Sequence, residues 1–140
     1  MIGTVCIAAA VLGLCARVRR SLERNRLFRR DLAGGRVRIA PLYNQGAGFE
    51  ALPLSARQMA PLSLAALWAL LCRWGFRGVG AGLLLGGGLS NLRERLRYGR
   101  VLDYLRVPKA PGMLKRYTYN LADLAIFLGA ALLVLRRRRR

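Results

Sequence analysis

The stretch GGGLSNLRERLRYGRVLDY, residues 86–104, contains the change from uncharged to arginine-rich sequence that defines how this chain is organised. Its first part ends an uncharged run over residues 78–92, and its second part begins a polar, arginine-rich region over residues 93–116. The acidic residue Asp103 lies within Val-Leu-Asp-Tyr-Leu, which is an apolar setting for a carboxylate. We therefore expect an apolar helix that leads into a polar region holding an unusually placed acid.

Three further runs, residues 1–16, 51–72 and 117–135, contain no more than one charged residue each. A helix needs roughly 20 apolar residues to cross a bilayer, with about 17 as the short end, and flanking arginines can extend a short span by snorkelling. The pattern predicts an all-α integral membrane protein with one membrane-embedded domain over residues 1–140. The predicted transmembrane helices cover residues 2–16, 56–74, 77–93 and 117–135. A basic C-terminal tail follows at residues 136–140.

Two alternatives to this arrangement are less consistent with the sequence. A soluble helical bundle would need polar helix faces, and these runs leave few residues to form them. A cleaved signal peptide at residues 1–16 would need a positive leading region, which the run lacks, and a processing site with small residues, for which Leu12-Gly13-Leu14-Cys15 is a poor match. We expect the first helix to be retained.

The composition combines high charge with high apolarity. The 140 residues include 25 Lys+Arg against 6 Asp+Glu, a net charge of +19, and 54% hydrophobic residues. Nucleic-acid-binding modules share the charge but seldom the apolarity, so we expect membrane lipids and no nucleic acid as partners. The chain has no histidine, which removes Ser-His-Asp and Cys-His catalysis and His-ligated zinc. Its three cysteines form no metal-binding pattern, and no metal or cofactor is implied.

The polar regions between the apolar runs differ in character. Residues 17–50 are expected to begin as an interfacial helix and to end as short strands, because residues 36–39 alternate between arginine and β-branched residues. Residues 93–116 contain two prolines and predict a re-entrant or surface turn. If all four helices span, the side holding both termini carries seven positive residues and the other side carries 18, so charge counting alone would place the termini outside.

Asp123 is the second unusually placed acid, because it lies inside the fourth apolar run. An ionisable residue at membrane depth costs at least a few kcal/mol and is a functional-site hypothesis by default. Asp103 lies 20 residues earlier, so a helix, a turn and a returning helix would bring the two carboxylates to one membrane face. Such a pair retains one proton, so that one member can activate water while the other protonates a carbonyl.

Three sequence blocks resemble the signal peptidase II (lipoprotein signal peptidase) family. Residues 86–104 resemble its glycine-rich helix that continues into Asn-x-x-Asp-Arg, a glycine and Val-x-Asp-Phe or Tyr. Tyr-Asn-Leu-Ala-Asp at 119–123 resembles its Phe-Asn-x-Ala-Asp block, and residues 43–49 are similar to its Asn-x-Gly-Ala-Ala-Phe block. The blocks occur in the family's order among the four apolar runs.

The resemblance implies a catalytic dyad of Asp103 and Asp123 in an aspartic-type endopeptidase. Its substrates would be prolipoproteins, cut just before a diacylglyceryl-modified cysteine. The enzyme would lie in the bacterial inner membrane with both termini in the cytoplasm, so that the site and the β-like region between helices 1 and 2 face the extracytoplasmic side. The supporting residues that match family positions are Asn44, Gly87, Asn91, Arg95, Asn120 and Ala122. The glycines of residues 82–88 are equally consistent with close helix packing.

The chain also departs from the family pattern. Glu94 stands where the family has aspartate, residues 47–48 read Ala-Gly for Ala-Ala, and the end of the first helix lacks the family's aspartate and lysine. These departures keep open a second hypothesis, a relative that binds lipoprotein precursors or lipids without cutting them. A third, a basic binder of membrane surfaces or nucleic acid, rests on charge alone.

Overall fold

The computed structural model describes residues 1–25, 29–44 and 56–138. The helices are α1 (Ile2–Arg24), α2 (Ala56–Trp74), α3 (Val79–Tyr98) and α4 (Leu121–Arg138). The strands are β1 (Arg30–Leu32), β2 (Val37–Asn44), β3 (Val101–Arg106) and β4 (Thr118–Tyr119). A short 3-10 helix covers Gly112–Arg116.

Helix α3 lies at the centre of the helices and packs against the other three. Its glycines make these contacts close, since a Cβ on Gly82 would lie 2.9 Å from the backbone oxygen of Thr4 in α1. A Cβ on Gly88 would lie 3.0 Å from Leu67 of α2. The packing interpretation of the glycines is therefore confirmed for this helix. Buried side chains from α2, α3 and α4 form the hydrophobic core: Leu67, Leu71, Ala81, Leu84 and Leu133.

The four strands form one antiparallel sheet in the order β1-β2-β3-β4. The strands predicted between the first two helices are present as β1 and β2. Two further strands, β3 and β4, come from the connection between α3 and α4, where the sequence predicted a turn. Residues 93–116 are likewise not only a turn, since they comprise the end of α3, strand β3 and the 3-10 helix.

Three of the four helices differ in extent from those predicted, and the main differences are these. The first helix continues from residue 16 to Arg24, because Arg19 has a buried partner and does not interrupt it. The third continues from residue 93 to Tyr98, where Gly99 ends it in a left-handed conformation (φ 67°). The fourth begins at Leu121 and not at residue 117, since residues 118–119 pair with β3.

The ends of the described chain lie together, opposite the sheet. The backbone N–H of Gly78, before α3, donates to the hydroxyl of Thr4 in α1 at 3.0 Å. At the other end of the sequence, Arg136 of α4 donates to the carbonyl of Arg77 at 2.9 Å. The beginning of α1, the end of α4 and the α2–α3 connection therefore share one end of the molecule, and the sheet is built on the other.

Among the described residues, α1 alone is both long and apolar enough to cross a bilayer. The apolar part of α2 is shorter, at Gln58–Arg73. The number of transmembrane helices, four, stays a prediction.

Candidate active site

Asp103 and Asp123 line the same small cavity, although they belong to different elements. Asp103 lies on β3 and is 4% exposed, and Asp123 is the third residue of α4. The cavity has a volume of about 170 Å³. Its other lining residues are Asn44, Asn91, Arg95, Val101, Asn120 and Phe127. Six of the eight predicted site residues therefore come together here.

Asn120 fixes the position of Asp123 by capping helix α4. Its side-chain oxygen accepts a hydrogen bond from the backbone N–H of Asp123 at 2.9 Å. In return, Oδ2 of Asp123 accepts one from the backbone N–H of Asn120 at 3.0 Å. This reciprocal pair is a capping box, which satisfies donors that the first turn of a helix leaves open. The Asn-x-x-Asp spacing of residues 120–123 thus starts the helix and orients the carboxylate together.

Neutral amide groups contact both carboxylates. The side-chain NH2 of Asn120 donates to Oδ1 of Asp103 at 2.8 Å and to Oδ1 of Asn91 at 3.1 Å. The NH2 of Asn91 donates to Oδ1 of Asp123 at 2.8 Å, and that of Asn44 donates to Oδ2 of Asp103 at 3.0 Å. Together with the capping bond, each of the four carboxylate oxygens accepts a hydrogen bond. The amides therefore hold the pair without adding a net charge to the cavity.

The environment of Asp103 changes its acidity. The pKa of Asp103 is raised from 3.8 to about 6, chiefly by burial and also by the nearby carboxylate of Asp123. Hydrogen bonds from Asn44 and Asn120 and the charge of Arg95 oppose the rise. Desolvation disfavours the charged form of a carboxyl group, which is why it dominates here. Asp103 can consequently gain and lose a proton close to neutral pH.

Arg95 lines the cavity without an ion pair to either aspartate among the described residues. Its positive charge nevertheless lowers the pKa of Asp103. The Nε atom of Arg95 is buried and has no hydrogen-bond partner within the described part of the chain. A buried donor without a partner is costly, so this atom is an unsatisfied polar group in a residue that lines the cavity.

Gly87 and Ala122 lie beside the cavity and do not line it. A Cβ on Gly87 would lie only 2.4 Å from the backbone oxygen of Ala122, far inside any normal contact. These two residues therefore act by letting α3 and α4 approach each other, which brings Asn91 within reach of Asp123. No three cysteine or acidic side chains come together as a metal site in the described ranges.

A buried ion pair next to the cavity was not predicted from the sequence. Nη1 of Arg19 lies 2.5 Å from Oε2 of Glu94, with side chains 6% and 11% exposed. Nη2 of Arg19 also lies 2.9 Å from Glu23, one turn further along α1, and its guanidinium lies 4.0 Å from the ring centre of Tyr98. The available signal was the buried face of α1, where Cys15 and Arg19 lie one turn apart.

This ion pair reaches the neighbours of Asp103. Oε2 of Glu94 accepts the backbone N–H of Leu102 at 2.9 Å, on one side of Asp103. On the other side, the hydroxyl of Tyr104 accepts the backbone N–H of Leu121 at 3.1 Å. Strand β3 is therefore tied to α3 before Asp103 and to α4 after it. The glutamate that departs from the family pattern thus has an arginine partner on α1.

The fold is that of a helical membrane enzyme. Two solved structures of a bacterial membrane enzyme, at 2.3 and 1.9 Å resolution, superpose on the chain with TM-scores of 0.80 and 0.75. The first alignment covers 99% of this chain and 89% of the solved chain, and the second covers 96% of this chain and 91% of the solved chain. The sequence identity is 18% in both. A sequence profile of the family described as Signal peptidase (SPase) II matches residues 5–138. The chain belongs to the signal peptidase II family.

Curated relatives are similar over part of the chain. A lipoprotein signal peptidase of Halothermothrix orenii is 36% identical over 98 residues, 66% of this chain and 63% of the relative. A lipoprotein signal peptidase of Nitrobacter hamburgensis is 34% identical over 83 residues, which is 58% of this chain and 51% of the relative. One of Paraburkholderia phytofirmans is 35% identical over 113 residues, which is 71% of this chain and 62% of the relative. The matched region spans between half and two thirds of the length of these relatives.

Neutralising Glu94 tests the buried ion pair. In Glu94→Gln, Arg19 keeps only the partly exposed Glu23, so a buried charge is left undercompensated and the free energy of unfolding should fall by about 3 kcal/mol. Thermal unfolding in detergent micelles measures the change. The matched control is Asp31→Asn, which breaks a pair whose side chains are about half exposed and should leave stability close to wild type. Equal effects of the two substitutions would contradict a structural role for the pair.

The pKa of Asp103 predicts a pH dependence of stability. Because its folded value, about 6, lies above its ordinary value of 3.8, the folded protein holds the proton more tightly than the unfolded chain. The stability from this proton is fully present below about pH 4 and is lost as the pH rises through about 6. Relative to Asp103→Asn, which cannot titrate, wild type should lose on the order of 3 kcal/mol over this interval. Unfolding midpoints of both proteins across this range measure it, and a constant difference would refute the shift.

Proposed function

We propose that this protein is a membrane-embedded aspartic endopeptidase that removes signal peptides from lipid-modified prolipoproteins. The observation that carries the proposal is that buried Asp103 and partly buried Asp123 share one cavity, with neutral amides donating to their oxygens. The cut would fall just before the diacylglyceryl-modified cysteine, as the family resemblance implies. Family membership supports the substrate class, and the geometry supports the aspartic mechanism.

In the proposed mechanism the dyad shares one proton. The ionised carboxylate removes a proton from a water molecule, whose oxygen attacks the carbonyl carbon of the scissile peptide bond. The protonated partner gives its proton to the carbonyl oxygen, which yields a neutral tetrahedral intermediate. When the intermediate breaks down, the carboxyl group that took the water proton gives it to the leaving nitrogen and the C–N bond breaks. The other carboxylate takes a proton back from one hydroxyl of the intermediate, which re-forms the carbonyl and restores the shared proton. Both steps conserve protons and need only the two carboxyl groups and water.

The remaining polar groups would orient the substrate. The buried Nε of Arg95 has no partner among the described residues, and a substrate carbonyl oxygen entering the cavity would supply one. The amides of Asn44, Asn91 and Asn120 hold the aspartates in place while that carbonyl binds. Phe127, whose side chain is 55% exposed, forms an apolar part of the cavity wall where a substrate could enter from the side of α4.

The exposed apolar side chains of the helices support four membrane spans in one domain over residues 1–140. Leu62, Trp68, Leu128 and Leu135 are each more than half exposed on α2 or α4, where water would disfavour them and lipid would not. The dyad lies where β3 and α4 meet, at the end of the helices. A lipid anchor in the bilayer and a peptide bond near its surface could both reach this position.

The second candidate, a relative that binds precursors without cutting them, is motivated by the first helix. It lacks the aspartate and lysine of the family, and Arg19 with Glu94 provides a different ionic contact near the site. This hypothesis predicts that wild-type protein binds a lipidated precursor and shows no turnover. The two candidates therefore separate on one assay.

Replacing either aspartate tests the dyad. Asp103→Asn and Asp123→Asn should each reduce cleavage of a lipidated prolipoprotein by at least about 100-fold, because neither variant can hold and release the shared proton. Electrophoresis of the precursor and product, with purified protein in detergent, measures the rate. Asp31→Asn, which changes an exposed aspartate on β1, is the control and should cleave as wild type does. Normal cleavage by either dyad variant would refute the mechanism.

We also propose that both termini face the cytoplasm and the sheet faces the outside of a bacterial inner membrane. A protease-sensitive tag placed after Arg140 should resist protease added to intact spheroplasts and be cut once the membrane is permeabilised. The contacts of α1 and α4 with the α2–α3 connection, which bring both ends of the described chain together, support a common side. Digestion of the tag in intact spheroplasts would reverse the orientation.

A further inference from the structure

A second cavity, which we call the arginine cavity, lies against the sheet. Its volume is about 530 Å³, and it shares no lining residue with the cavity of the two aspartates. Its charged lining residues are Arg29, Arg30, Asp31, Arg38 and Arg106. Four guanidinium groups therefore border one space with a single carboxylate among the described residues.

The strand register concentrates this charge in one row. Asp31 pairs with Arg38 across β1 and β2, Arg38 with Arg106 across β2 and β3, and Arg106 with Thr118 across β3 and β4. Directly opposed residues in antiparallel strands project from the same face of the sheet, with their Cβ atoms roughly 5 Å apart. Like charges at such positions destabilise a sheet. The pairing of two arginines therefore needs compensation.

Asp31 compensates only one member of the row. Its carboxylate contacts Arg38 twice, at 2.5 and 3.1 Å. Arg106 has no ion pair within the described part of the chain. An anion between the two arginines would neutralise the remaining charge, and the hydroxyl of Thr118, next in the row, could donate a further hydrogen bond to it.

Apolar residues also line the arginine cavity. This apolar wall is formed by Ile39, Ala40, Pro41 and Leu42, which follow Arg38 along β2, and Leu42 is 57% exposed. The sheet itself lies at the ends of helices, because β3 begins soon after α3 ends and β4 directly precedes α4. In a membrane protein this is the level at which phosphate groups meet acyl chains. A cavity with one basic and one apolar wall matches that boundary.

We propose that the arginine cavity binds the phosphate of an anionic phospholipid headgroup, held mainly by Arg38 and Arg106. The planar guanidinium group binds phosphate oxygens through paired hydrogen bonds, which an ammonium group cannot reproduce. The apolar wall accommodates the first part of the acyl chains. This site is separate from the dyad, so the proposal stands or falls independently of the proteolytic activity.

Native mass spectrometry of the full chain, released from detergent micelles with phosphatidylglycerol or phosphatidylcholine, tests the proposal. Wild type should retain phosphatidylglycerol in preference to phosphatidylcholine. Arg38→Gln combined with Arg106→Gln should bind it more weakly, roughly tenfold for each arginine removed. Arg106→Gln alone leaves the contact between Asp31 and Arg38 intact. It should bind phosphatidylglycerol roughly tenfold more weakly than wild type, and it remains measurable if the double variant fails to fold.

The matched control removes two exposed arginines of α1 outside the cavity, in Arg20→Gln with Arg24→Gln. This variant has the same net charge as the double cavity variant and should retain phosphatidylglycerol as wild type does. If both double variants lose the same amount of phosphatidylglycerol binding, net charge alone attracts the lipid. If the cavity variant binds phosphatidylglycerol as wild type does, the arginine cavity is not the binding site. Either result overturns the proposal.

Two further measurements identify the ligand. Asp31→Asn removes the one carboxylate that the described residues place in the cavity, and it should strengthen phosphatidylglycerol binding severalfold. A general loss of stability would weaken the binding instead. An excess of inorganic phosphate should leave the bound lipid in place. If inorganic phosphate displaces the lipid and raises the thermal stability of lipid-free wild type but not of Arg106→Gln, the site binds free phosphate and the assignment to a lipid is wrong.

Discussion

The placement of two carboxylates in one small cavity is the constraint on which the rest of the structure depends. Removing a carboxylate from water costs several kcal/mol, and a second one nearby raises the cost. The chain offsets this desolvation cost with side-chain amides, which donate hydrogen bonds and carry no charge. Had lysines or arginines supplied all these contacts, both aspartates would remain ionised and neither could transfer a proton. The amide contacts therefore leave room for the proton exchange that the proposed mechanism requires and that full charge compensation would prevent.

The same hydrogen bonds also determine the local fold. Asn120 caps α4, contacts Asp103 on β3 and reaches Asn91 on α3. Where α4 begins is therefore not independent of the site, because moving the start of the helix would move Asp123 away from its partners. This explains why an apolar run that begins at residue 117 produces a helix only from Leu121. Hydropathy identified the run, and the cap determined its first residue.

The sequence predicted the residues of the site better than the elements that support it. Asp103, Asp123 and their asparagines were recognisable because each occurs in a short local motif. Strand β3 was not, since it pairs with β2 through contacts such as Asn44 with Val101, far apart in the sequence. The Arg19–Glu94 pair was missed for the same reason. A positive residue after an apolar run is typical of a membrane boundary, and only the packing of α1 on α3 shows that this one is buried.

The excess of positive charge at the sheet end also has a structural explanation. The positive-inside rule concerns arginines and lysines in the loops that flank membrane helices. Many arginines at this end lie in the extensions of α1 and α3, which the predicted boundaries had assigned to polar connections. Arg19 is neutralised by acids, and Arg95 lines the cavity of the two aspartates. These residues stabilise the site end of the molecule, so counting them as loop charges overstates the charge that would oppose an outward-facing site.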